Sequence, residues 1–239
     1  MKLVVTIPAY NEQKTIGRVI EEIPRSIPGI DVIEIVVIDD GSSDETVQRA
    51  TACGADYVIS HRTNLGLAQA FMTGIKQAIS LDADVIANTD GDFQYDQRQI
   101  PLLVEPIINE TADIVLGSRF KGYIEEMPLR KKLGNQLATY VTGVLSGFRT
   151  SDAQSGFRAY NKKAAEALYV HGKRTYVQET IIRPARMGFR IVEVPISFRK
   201  RDGSSRLIKS IWGYALAVMP YMLYSYIDAI RTNGQVAEP

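Results

Sequence analysis

Three clusters of polar side chains, each directly after an apolar run, contain carboxylate, amide and hydroxyl groups suited to binding a metal ion or a ligand. The clusters occupy residues 8–12, 39–44 and 90–94. In the third cluster, Asp90 and Asp92 place two carboxylates two residues apart, and the amide of Gln94 follows. Oxygen ligands of this kind suit Mg²⁺ or Mn²⁺ and leave coordination positions for phosphate groups and water. The spacing predicts a metal site at Asp90, Asp92 and Gln94, and a solvated turn is the alternative.

The other two clusters offer hydrogen-bonding groups. Asp39 ends the second apolar run, where its carboxylate can accept hydrogen bonds from a nucleobase or a ribose. Ser43 and Asp44 are better interpreted as caps of the helix that follows. Glu12 is either a ligand-binding residue or a favourable acid in the first turn of its helix. Because the sequence has no Gly-rich phosphate loop, a diphosphate would be held through a metal ion.

The elements that position these clusters follow from the first 118 residues, where apolar runs alternate with helix-like segments in the rhythm of βαβ units. The predicted strands cover residues 2–7, 33–38, 57–60, 85–88 and 114–116, and the predicted helices cover residues 12–22, 44–52, 67–80 and 97–108. Runs this rich in Val and Ile indicate parallel strands that are covered on both faces. Because ligands bind outside the carboxyl ends of such strands, the three clusters should converge on one edge.

The chain after residue 118 is less regular. It predicts a polar loop at 121–127, helices at 128–145 and 177–187, a strand at 191–195 and a second loop, rich in Arg and Lys, at 199–206. No linker-like stretch separates the two regions, so we expect one domain over residues 1–206 with two functional regions, 1–118 and 119–206. Residues 207–239 form a separate C-terminal segment.

The two parts of the chain before and after Gly117 differ in charge. Residues 1–117 hold 8 Lys and Arg against 18 Asp and Glu, whereas residues 118–239 hold 20 against 9, although the whole chain has a net charge of +1. The asymmetry indicates a cation or metal-bound group as the first ligand and an anion or anionic surface as the second. The alternative is that the two regions neutralise each other in the folded protein. An acidic first region would repel a phosphate backbone, which argues against nucleic acid as a partner.

Residues 211–227 contain no charged side chain but include five aromatic ones and Pro220. A spanning helix needs roughly 20 apolar residues, so this segment is short for a membrane span. Its tyrosines favour either a helix lying at a membrane surface or a helix that packs against protein, including a second copy of the chain.

Composition excludes several classes of protein. With 45% hydrophobic and 23% charged residues, the 239-residue chain should fold around a substantial core. The single cysteine, Cys53, excludes an internal disulfide and a Cys-rich zinc site and favours a reducing compartment. The first apolar run ends at Pro8 and is too short for a signal peptide, so we expect a cytosolic protein.

Six short motifs occur in order along the chain and together resemble the family 2 glycosyltransferases, with the dolichyl-phosphate mannose synthase type as the nearest subgroup. The motifs are Ile7-Pro8-Ala9-Tyr10-Asn11-Glu12, Val37-Ile38-Asp39-Asp40-Gly41-Ser42-Ser43-Asp44, Asn64-Leu65-Gly66, Asp90-Gly91-Asp92-Phe93-Gln94, Gly117-Ser118-Arg119-Phe120 and Gln154-Ser155-Gly156-Phe157-Arg158. Each motif alone is weak, but the matches run from residue 7 to about residue 206 and are jointly specific.

The resemblance implies a GT-A fold, which is a Rossmann-like, mostly parallel α/β sheet flanked by helices, here with an aromatic, amphipathic C-terminal segment. It also implies a nucleoside-diphosphate sugar as donor, Mg²⁺ or Mn²⁺ as cofactor and a polyprenyl phosphate lipid as acceptor. Residues 1–118 would bind the donor and metal, and residues 119–206 the acceptor. By similarity, the nucleotide-binding residues are Pro8, Tyr10, Glu12, Asp39 and Asp90, the metal ligands are Asp90, Asp92 and Gln94, and the acceptor-phosphate residues are Arg119, Arg130 and Arg201.

The implied reaction is one displacement with inversion at the sugar, most simply of mannose from GDP-mannose to dolichyl phosphate. An acceptor phosphate is largely ionised at neutral pH, so it needs no protein general base. Asp92, Arg119 and Arg201 are then the expected catalytic residues. We expect the protein on the cytosolic face of a membrane, bound peripherally or through a membrane partner.

Two alternatives stay open. A family 2 transferase that acts on a sugar hydroxyl would need a carboxylate base, for which Glu179 and Asp152 are candidates, and the donor could also be UDP-glucose. A protein that binds a nucleotide sugar without turning it over is the alternative from another class.

Overall fold

The computed structural model describes the backbone of residues 1–200 and 211–236, and the side chains of residues 1–200 and 218–232. Within these residues, the strands are β1 (Lys2–Ala9), β2 (Val32–Asp39), β3 (Tyr57–Ser60), β4 (Val85–Asn88), β5 (Ile114–Ile124), β6 (Arg158–Asn161) and β7 (Ile191–Phe198). The helices are α1 (Ile16–Glu22), α2 (Thr46–Ala52), α3 (Leu67–Ser80), α4 (Ile100–Ile108), α5 (Leu129–Ser146), α6 (Lys162–Glu166), α7 (Glu179–Arg186) and α8 (Ile211–Val236). A 3-10 turn, Gln97–Gln99, leads into α4.

The strands form one seven-stranded sheet in the order β3-β2-β1-β4-β6-β5-β7. Strands β1 to β4 pair in parallel, as do β5 and β7, whereas β6 runs antiparallel to both β4 and β5. The mostly parallel α/β sheet that the sequence predicts is therefore confirmed. Parallel order brings the carboxyl ends of β1, β2 and β4 to one edge, where ligands bind in open sheets.

Helices cover both faces of the sheet. On one face, Leu3, Val5 and Ile7 of β1 pack with α1 and α4, and on the other face Val4 packs with Phe71 of α3. All five side chains have no exposed surface. Burying an aliphatic or aromatic side chain of this size contributes about 1.5–3 kcal/mol, so this alternation fixes the register of β1.

Several predicted boundaries are wrong. Helix α1 starts at Ile16, four residues later than the sequence predicts, because the chain turns through Asn11, whose φ is 54°. The predicted polar loop 121–127 is in part strand, since β5 resumes pairing with β7 at Tyr123 after a shift in register. Strand β6 was missed entirely. It is four residues long and begins with Arg158, a residue type that does not predict a central strand.

Within the C-terminal segment, Ile211–Val236 form one helix that continues through Pro220. Val218 and Met222 of α8 are buried against Ile182 of α7, and Leu145 of α5 packs on the same cluster. Among the described helices, none is long and apolar enough to cross a membrane. Arg201 and the rest of the predicted Arg- and Lys-rich loop after Lys200 lie outside the described residues.

Candidate active site

A cavity of about 430 Å³ opens at the carboxyl edge of β1, β2 and β4. Its walls are the turns after these strands, the start of α3 and a loop of the second region. The lining residues are Pro8, Ala9, Tyr10, Glu12, Asp40, Asn64, Leu65, Gly66, Leu67, Ala70, Asp90, Gly91, Asp92, Lys173 and Arg174. The expected convergence of the three clusters on one edge is therefore confirmed.

Hydrogen bonds lock the turn after β1 to the turn after β2. The backbone N–H of Asn11 donates to Oγ of Ser42 at 2.8 Å, and the Asn11 side-chain oxygen accepts from the N–H of Ser43 at 2.8 Å. The N–H of Glu12 donates to Oγ1 of Thr46 at 2.8 Å. Five of the predicted site residues, Pro8, Tyr10, Glu12, Asp90 and Asp92, line the cavity that these turns enclose. Ser43, predicted as a helix cap, instead serves this junction, and Asp44 accepts from the N–H of Thr46, the first residue of α2, at 3.0 Å.

The turn after β4 carries the two carboxylates to the cavity. Oγ1 of Thr15 donates to the carbonyl of Gly91 at 2.8 Å, which ties this turn to the start of α1. Oδ1 of Asp92 accepts from the N–H of Gln94 at 3.1 Å, which closes a tight local turn. A Cβ built on Gly91 would meet Ala9 and Glu12 at 3.4–3.6 Å, so Gly91 is packed against the end of β1.

Asp90 lies against the segment that leads into β6. A Cβ on Gly156 would come within 3.1 Å of Oδ1 of Asp90 and 2.7 Å of the Tyr176 hydroxyl, so only glycine fits there without displacement. The Tyr176 hydroxyl accepts from the Asn88 amide at 2.8 Å, and the Tyr95 hydroxyl accepts from the N–H of Gly156 at 2.9 Å. Two buried tyrosines therefore hold the backbone against which Asp90 sits.

These tyrosines remain protonated over the whole physiological range. Burial raises the pKa of Tyr95 and of Tyr176, and the charge of Asp90 raises both further. Each hydroxyl is thus a neutral hydrogen-bonding group. The carboxylate of Asp90 supplies the negative charge at this end of the cavity.

The carboxylates of Asp90 and Asp92 fit a divalent cation. Both are hard oxygen donors from one short turn, and both border open space in which phosphate oxygens and water could complete the coordination. Among the described residues, no group of three or more His, Cys, Asp and Glu side chains could hold a metal ion. A cation here would depend on its substrate for its remaining ligands, as Mg²⁺ commonly does at phosphate sites.

Other predicted site residues do not line the cavity. Asp39 is 3% exposed, and its Oδ1 accepts from the N–H of Ser42 at 3.0 Å. The Gln94 amide nitrogen donates to the carbonyl of Arg199 at 3.2 Å, which joins it to the segment after β7. Arg130 is exposed near the start of α5. Arg201 lies outside the described residues.

Arg119 is paired inside the protein. Its Nε and Nη2 atoms donate to the two carboxylate oxygens of Asp152 at 2.7 and 2.8 Å, and the two residues are 4% and 0% exposed. Burial alone would lower the pKa of Arg119, but the charge and hydrogen bonds of Asp152 outweigh burial and raise it. The ring of Phe198 also lies 5.0 Å from the guanidinium. The fold thus uses Arg119 to balance a buried carboxylate.

Sequence reasoning missed Asp40, which lines the cavity where Asp39 was expected. Its oxygens accept from the N–H groups of Leu65 and Gly66 at 2.9 and 2.8 Å, and His61 Nδ1 lies 2.7 Å from Oδ1. Asp40 therefore holds the wall that leads into α3. Consecutive side chains of a strand point to opposite faces, so a strict reading of that alternation could have separated Asp39 from Asp40.

Lys173 and Arg174 were also missed, and both line the cavity. They lie more than 80 residues after Asp92 in a loop before α7, and no local pattern in the sequence connects them with the strand ends. Only the way the second region folds back on the sheet brings them there.

The two carboxylates considered as bases for a hydroxyl acceptor are both engaged elsewhere. Asp152 is bound to Arg119 as described above. Glu179 is 2% exposed and accepts from the N–H groups of His171 and Gly172, each at 2.9 Å. Burial raises the pKa of Glu179, against the opposing effect of these hydrogen bonds. Neither carboxylate lines the cavity.

Comparison with known proteins agrees with this geometry. The sequence profile of glycosyl transferase family 2 matches residues 4–169. The UDP-N-acetylglucosamine–dolichyl-phosphate N-acetylglucosaminyltransferase of Methanococcus voltae is 33% identical over 211 residues, which cover 80% of this chain and 82% of that protein. The dolichol-phosphate mannosyltransferase of Pyrococcus furiosus is 33% identical over 223 residues, which cover 90% of this chain and 62% of that protein.

Among solved structures, the fold is similar to that of glucosyl-3-phosphoglycerate synthase from Mycobacterium tuberculosis, crystallised with Mn²⁺, UDP-glucose and phosphoglyceric acid. The TM-score is 0.73 at 24% identity, with 94% of this chain and 79% of that chain covered. The sheet order, the cavity at its carboxyl edge and the family match together identify the chain as an enzyme that transfers a sugar, and it belongs to glycosyl transferase family 2.

Proposed function

We propose that the protein transfers a hexose, most simply mannose from GDP-mannose, to the phosphate of a polyprenyl lipid such as dolichyl phosphate, with Mg²⁺ or Mn²⁺ as cofactor. The observation that carries the proposal is one cavity in which the carboxylates of Asp90 and Asp92 meet the turn that bears Pro8, Tyr10 and Glu12. The names of the two relatives support a polyprenyl phosphate as acceptor.

The donor would lie along the strand ends. Tyr10, which is 39% exposed at the cavity, offers a ring on which a nucleobase can stack, and Glu12 offers a hydrogen-bond acceptor for the ribose or base. Asp90 and Asp92 would face the diphosphate through the metal. When bound, a divalent cation stabilises the charge that develops on the leaving diphosphate. Asp39 as a nucleotide ligand and Gln94 as a metal ligand stay predictions.

The acceptor would attack through a phosphate oxygen that is already ionised. The role of the protein is then to orient the lipid phosphate opposite the leaving group, which gives inversion in one displacement. Arg119, Arg130 and Arg201 stay predictions for the residues that bind this phosphate. The engaged state of Asp152 and Glu179 disfavours the hydroxyl-acceptor alternative, because a general base must reach the proton that it removes.

A lipid acceptor requires contact with a membrane, and α5 offers a surface for it. Five large apolar side chains spaced three or four residues apart are 54–70% exposed along this helix, and we call them the α5 stripe: Leu129, Leu133, Leu137, Tyr140 and Val144. Leu223, Ile227 and Ile230 of the adjacent α8 are 43–49% exposed. The basic side chains of Arg130 and Lys132 lie among these residues and would favour anionic lipid. We therefore propose a peripheral position on the cytosolic face of a membrane.

The proposal is tested by transfer of labelled sugar from GDP-mannose and from UDP-glucose to a short polyprenyl phosphate, with Mg²⁺ or Mn²⁺ and with chelator. We expect metal-dependent glycolipid from GDP-mannose, and no product from the matched polyprenol that lacks the phosphate. Transfer to the polyprenol would favour a hydroxyl acceptor. Donor binding without any product would favour the binding-only alternative.

The membrane contact is tested separately by sedimentation with vesicles that contain anionic lipid. The double substitution Leu137→Ser and Tyr140→Ser removes apolar surface from the centre of the α5 stripe and should reduce the bound fraction severalfold without lowering the free energy of unfolding. Gln136→Ser, on the same helix and also exposed, is the matched control and should bind as the unmodified protein does. Unchanged binding of the double variant would exclude the α5 stripe as the membrane contact.

A further inference from the structure

The loop before α7 brings positive charge to a cavity whose other charged residues are acidic. Among the lining residues, Lys173 and Arg174 face a group that consists of Glu12, Asp40, Asp90 and Asp92. Both cations are exposed, and neither forms an ion pair with any residue in the described part of the chain. We call residues 171–174 the basic loop.

Contacts on both sides place the basic loop between the α3 wall and Asp90. The carbonyl of Lys173 lies only 2.5 Å from where a Cβ on Gly66 would be, so the loop rests directly on the start of α3. Two residues after Arg174, the buried ring of Tyr176 stacks on Phe71 with 3.8 Å between centroids. The Tyr176 hydroxyl in turn lies beside Gly156 and Asp90. The buried ring of Tyr176 therefore anchors the chain just after the two cations, at the end of the cavity where Asp90 lies.

Glu179 holds the basic loop through hydrogen bonds to its backbone. The Glu179 carboxylate accepts from the N–H groups of His171 and Gly172 and lies 3.0 Å from Nδ1 of His171. A Cβ on Gly172 would come within 2.9 Å of Oε1 of Glu179, which explains a glycine there. The His171 ring also packs on Tyr224 of α8, 6.2 Å away. Helices α7 and α8 thus fix the basic loop at the cavity.

A charge balance shows why such cations are needed. A divalent cation held by Asp90 and Asp92 is neutralised by these two carboxylates, so it leaves the charge of a bound diphosphate without a net counter-charge. In a cavity that also contains Glu12, further positive charge must come from elsewhere on the protein. Lys173 and Arg174 are the cations that the described fold supplies there.

We propose that Lys173 and Arg174 bind the diphosphate of the sugar donor, and that Glu179 positions them by holding the basic loop. This inference rests on the proposed function, because it assumes a nucleoside diphosphate in this cavity. The two residues lie beyond the part of the chain that the family profile matches, which ends at residue 169. Asp90 and Asp92 would hold the metal, and Lys173 and Arg174 would add positive charge for the diphosphate in the same cavity.

The test measures binding of GDP and UDP, with GMP and UMP as probes that lack the second phosphate, by calorimetry with the full chain and Mn²⁺. Lys173→Ala and Arg174→Ala should each weaken binding of the preferred diphosphate about tenfold, because each removes a charge-assisted contact. Binding of the matching monophosphate should change much less. Lys173→Arg keeps the charge and should retain most of the affinity, and Lys163→Ala, an exposed cation on α6, should have no effect.

The outcomes separate this inference from the proposed function. If the unmodified protein binds neither GDP nor UDP, the proposed function itself fails. If it binds one of them and both alanine variants bind it equally well, the role of the basic loop is wrong. A variant that binds the diphosphate normally but needs more polyprenyl phosphate for transfer would also overturn the inference, because the cations would then serve the acceptor.

Glu179→Gln tests the positioning role. The amide keeps one oxygen and replaces the other with an NH2 group, so it can accept from only one of the backbone N–H groups of His171 and Gly172, and the basic loop should lose part of its support. We expect a severalfold increase in the KM for the donor, with little change in kcat at saturating donor and in the KM for the acceptor. A variant with a lower melting temperature and an unchanged KM for the donor would show that Glu179 is only structural.

Discussion

The acidic first region and the basic second region use their charged residues in different ways. In residues 1–117, four carboxylates at or near strand ends, those of Glu12, Asp40, Asp90 and Asp92, line the cavity. In residues 118–239, most described arginines are held by partners inside the protein. Arg119 binds Asp152, Arg183 binds Asp228, and the fully buried Arg158 donates to three carbonyl groups and the Thr180 hydroxyl. The acidic side chains of the first region therefore line the cavity, whereas most described arginines of the second region stabilise the fold.

The neutralisation interpretation of the charge asymmetry is confirmed in part, and the interpretation that the basic part binds an anion stays a prediction. Ion pairs connect the two regions directly, as Arg190 does with Asp113 and Arg199 with Glu22, both at 2.9 Å. This neutralisation is the alternative that composition left open. Lys173 and Arg174 nevertheless remain at the cavity, so a small share of the basic charge is available for an anionic ligand.

The largest expected effect tests the role of the first region as the metal site, and it concerns Asp92. Asp92→Ala removes one of two carboxylates that we assign to the metal, so metal-dependent transfer should fall by about 100-fold or more while the protein stays folded. Glu105→Ala, an exposed acid on α4 in the same region, is the matched control and should keep full activity. The measurement is initial rate against metal concentration, with circular dichroism as the check on folding. Near-normal transfer by Asp92→Ala would remove the metal assignment.

The contact between the two regions can be tested at Gly156, where the second region meets Asp90. The methyl group of Gly156→Ala would be 2.7 Å from the Tyr176 hydroxyl and 3.1 Å from Oδ1 of Asp90 and must displace one of them. We expect transfer to fall about tenfold or more, because misplacement of a reacting group by about 1 Å can cost 100-fold. Gly143→Ala, inside α5, meets its nearest neighbour at 3.4 Å and should leave the rate unchanged. Equal rates for the two variants would show that Asp90 needs no such support.

The ion pair of Arg119 and Asp152 separates a folding role from a phosphate-binding role in the second region. Arg119→Met leaves a buried carboxylate without its partner and should lower the free energy of unfolding by about 3–5 kcal/mol. Combining it with Asp152→Leu should recover much of this loss, which urea unfolding measures. We expect the double variant to fold but to need more acceptor lipid for transfer. A normal KM for the acceptor would show that Arg119 serves folding alone.

The smallest expected effect concerns Glu193 of β7, which is buried beside Thr150, Ser151 and Lys121. Burial alone would raise the pKa of Glu193, but these hydrogen bonds outweigh burial and lower the pKa below its ordinary value of 4.5. The stability that this group contributes is therefore present above pH 4.5 and is lost as the pH falls through the lowered pKa. Glu193→Gln should cost about 1–3 kcal/mol at pH 7, and the difference from the unmodified protein should shrink toward pH 3.

Urea unfolding at several pH values measures this difference, with Glu105→Gln as an exposed control that should follow the unmodified protein throughout. A difference that stays constant with pH would mean that the charge of Glu193 contributes nothing to stability.

Residue order alone predicts the fold class, the strands β1 to β4 and the cavity edge at which Pro8, Tyr10, Glu12, Asp90 and Asp92 meet. These features are local, because an apolar strand followed by a polar turn is written in consecutive residues, and parallel order then brings the turns together. The aromatic C-terminal segment was likewise predicted as helical from its own residues, and α8 confirms it.

Contacts between distant segments set which charged side chains are available at the cavity. The motif of Arg119 predicts a phosphate ligand, and only the fold shows that its guanidinium is paired with Asp152, 33 residues later. Lys173 and Arg174 carry no local signal, but Glu179 and the start of α3 place them beside the carboxylates. The physical reason is that the chemistry of a charged side chain depends on its burial and its partners, and in this chain those partners come from distant segments.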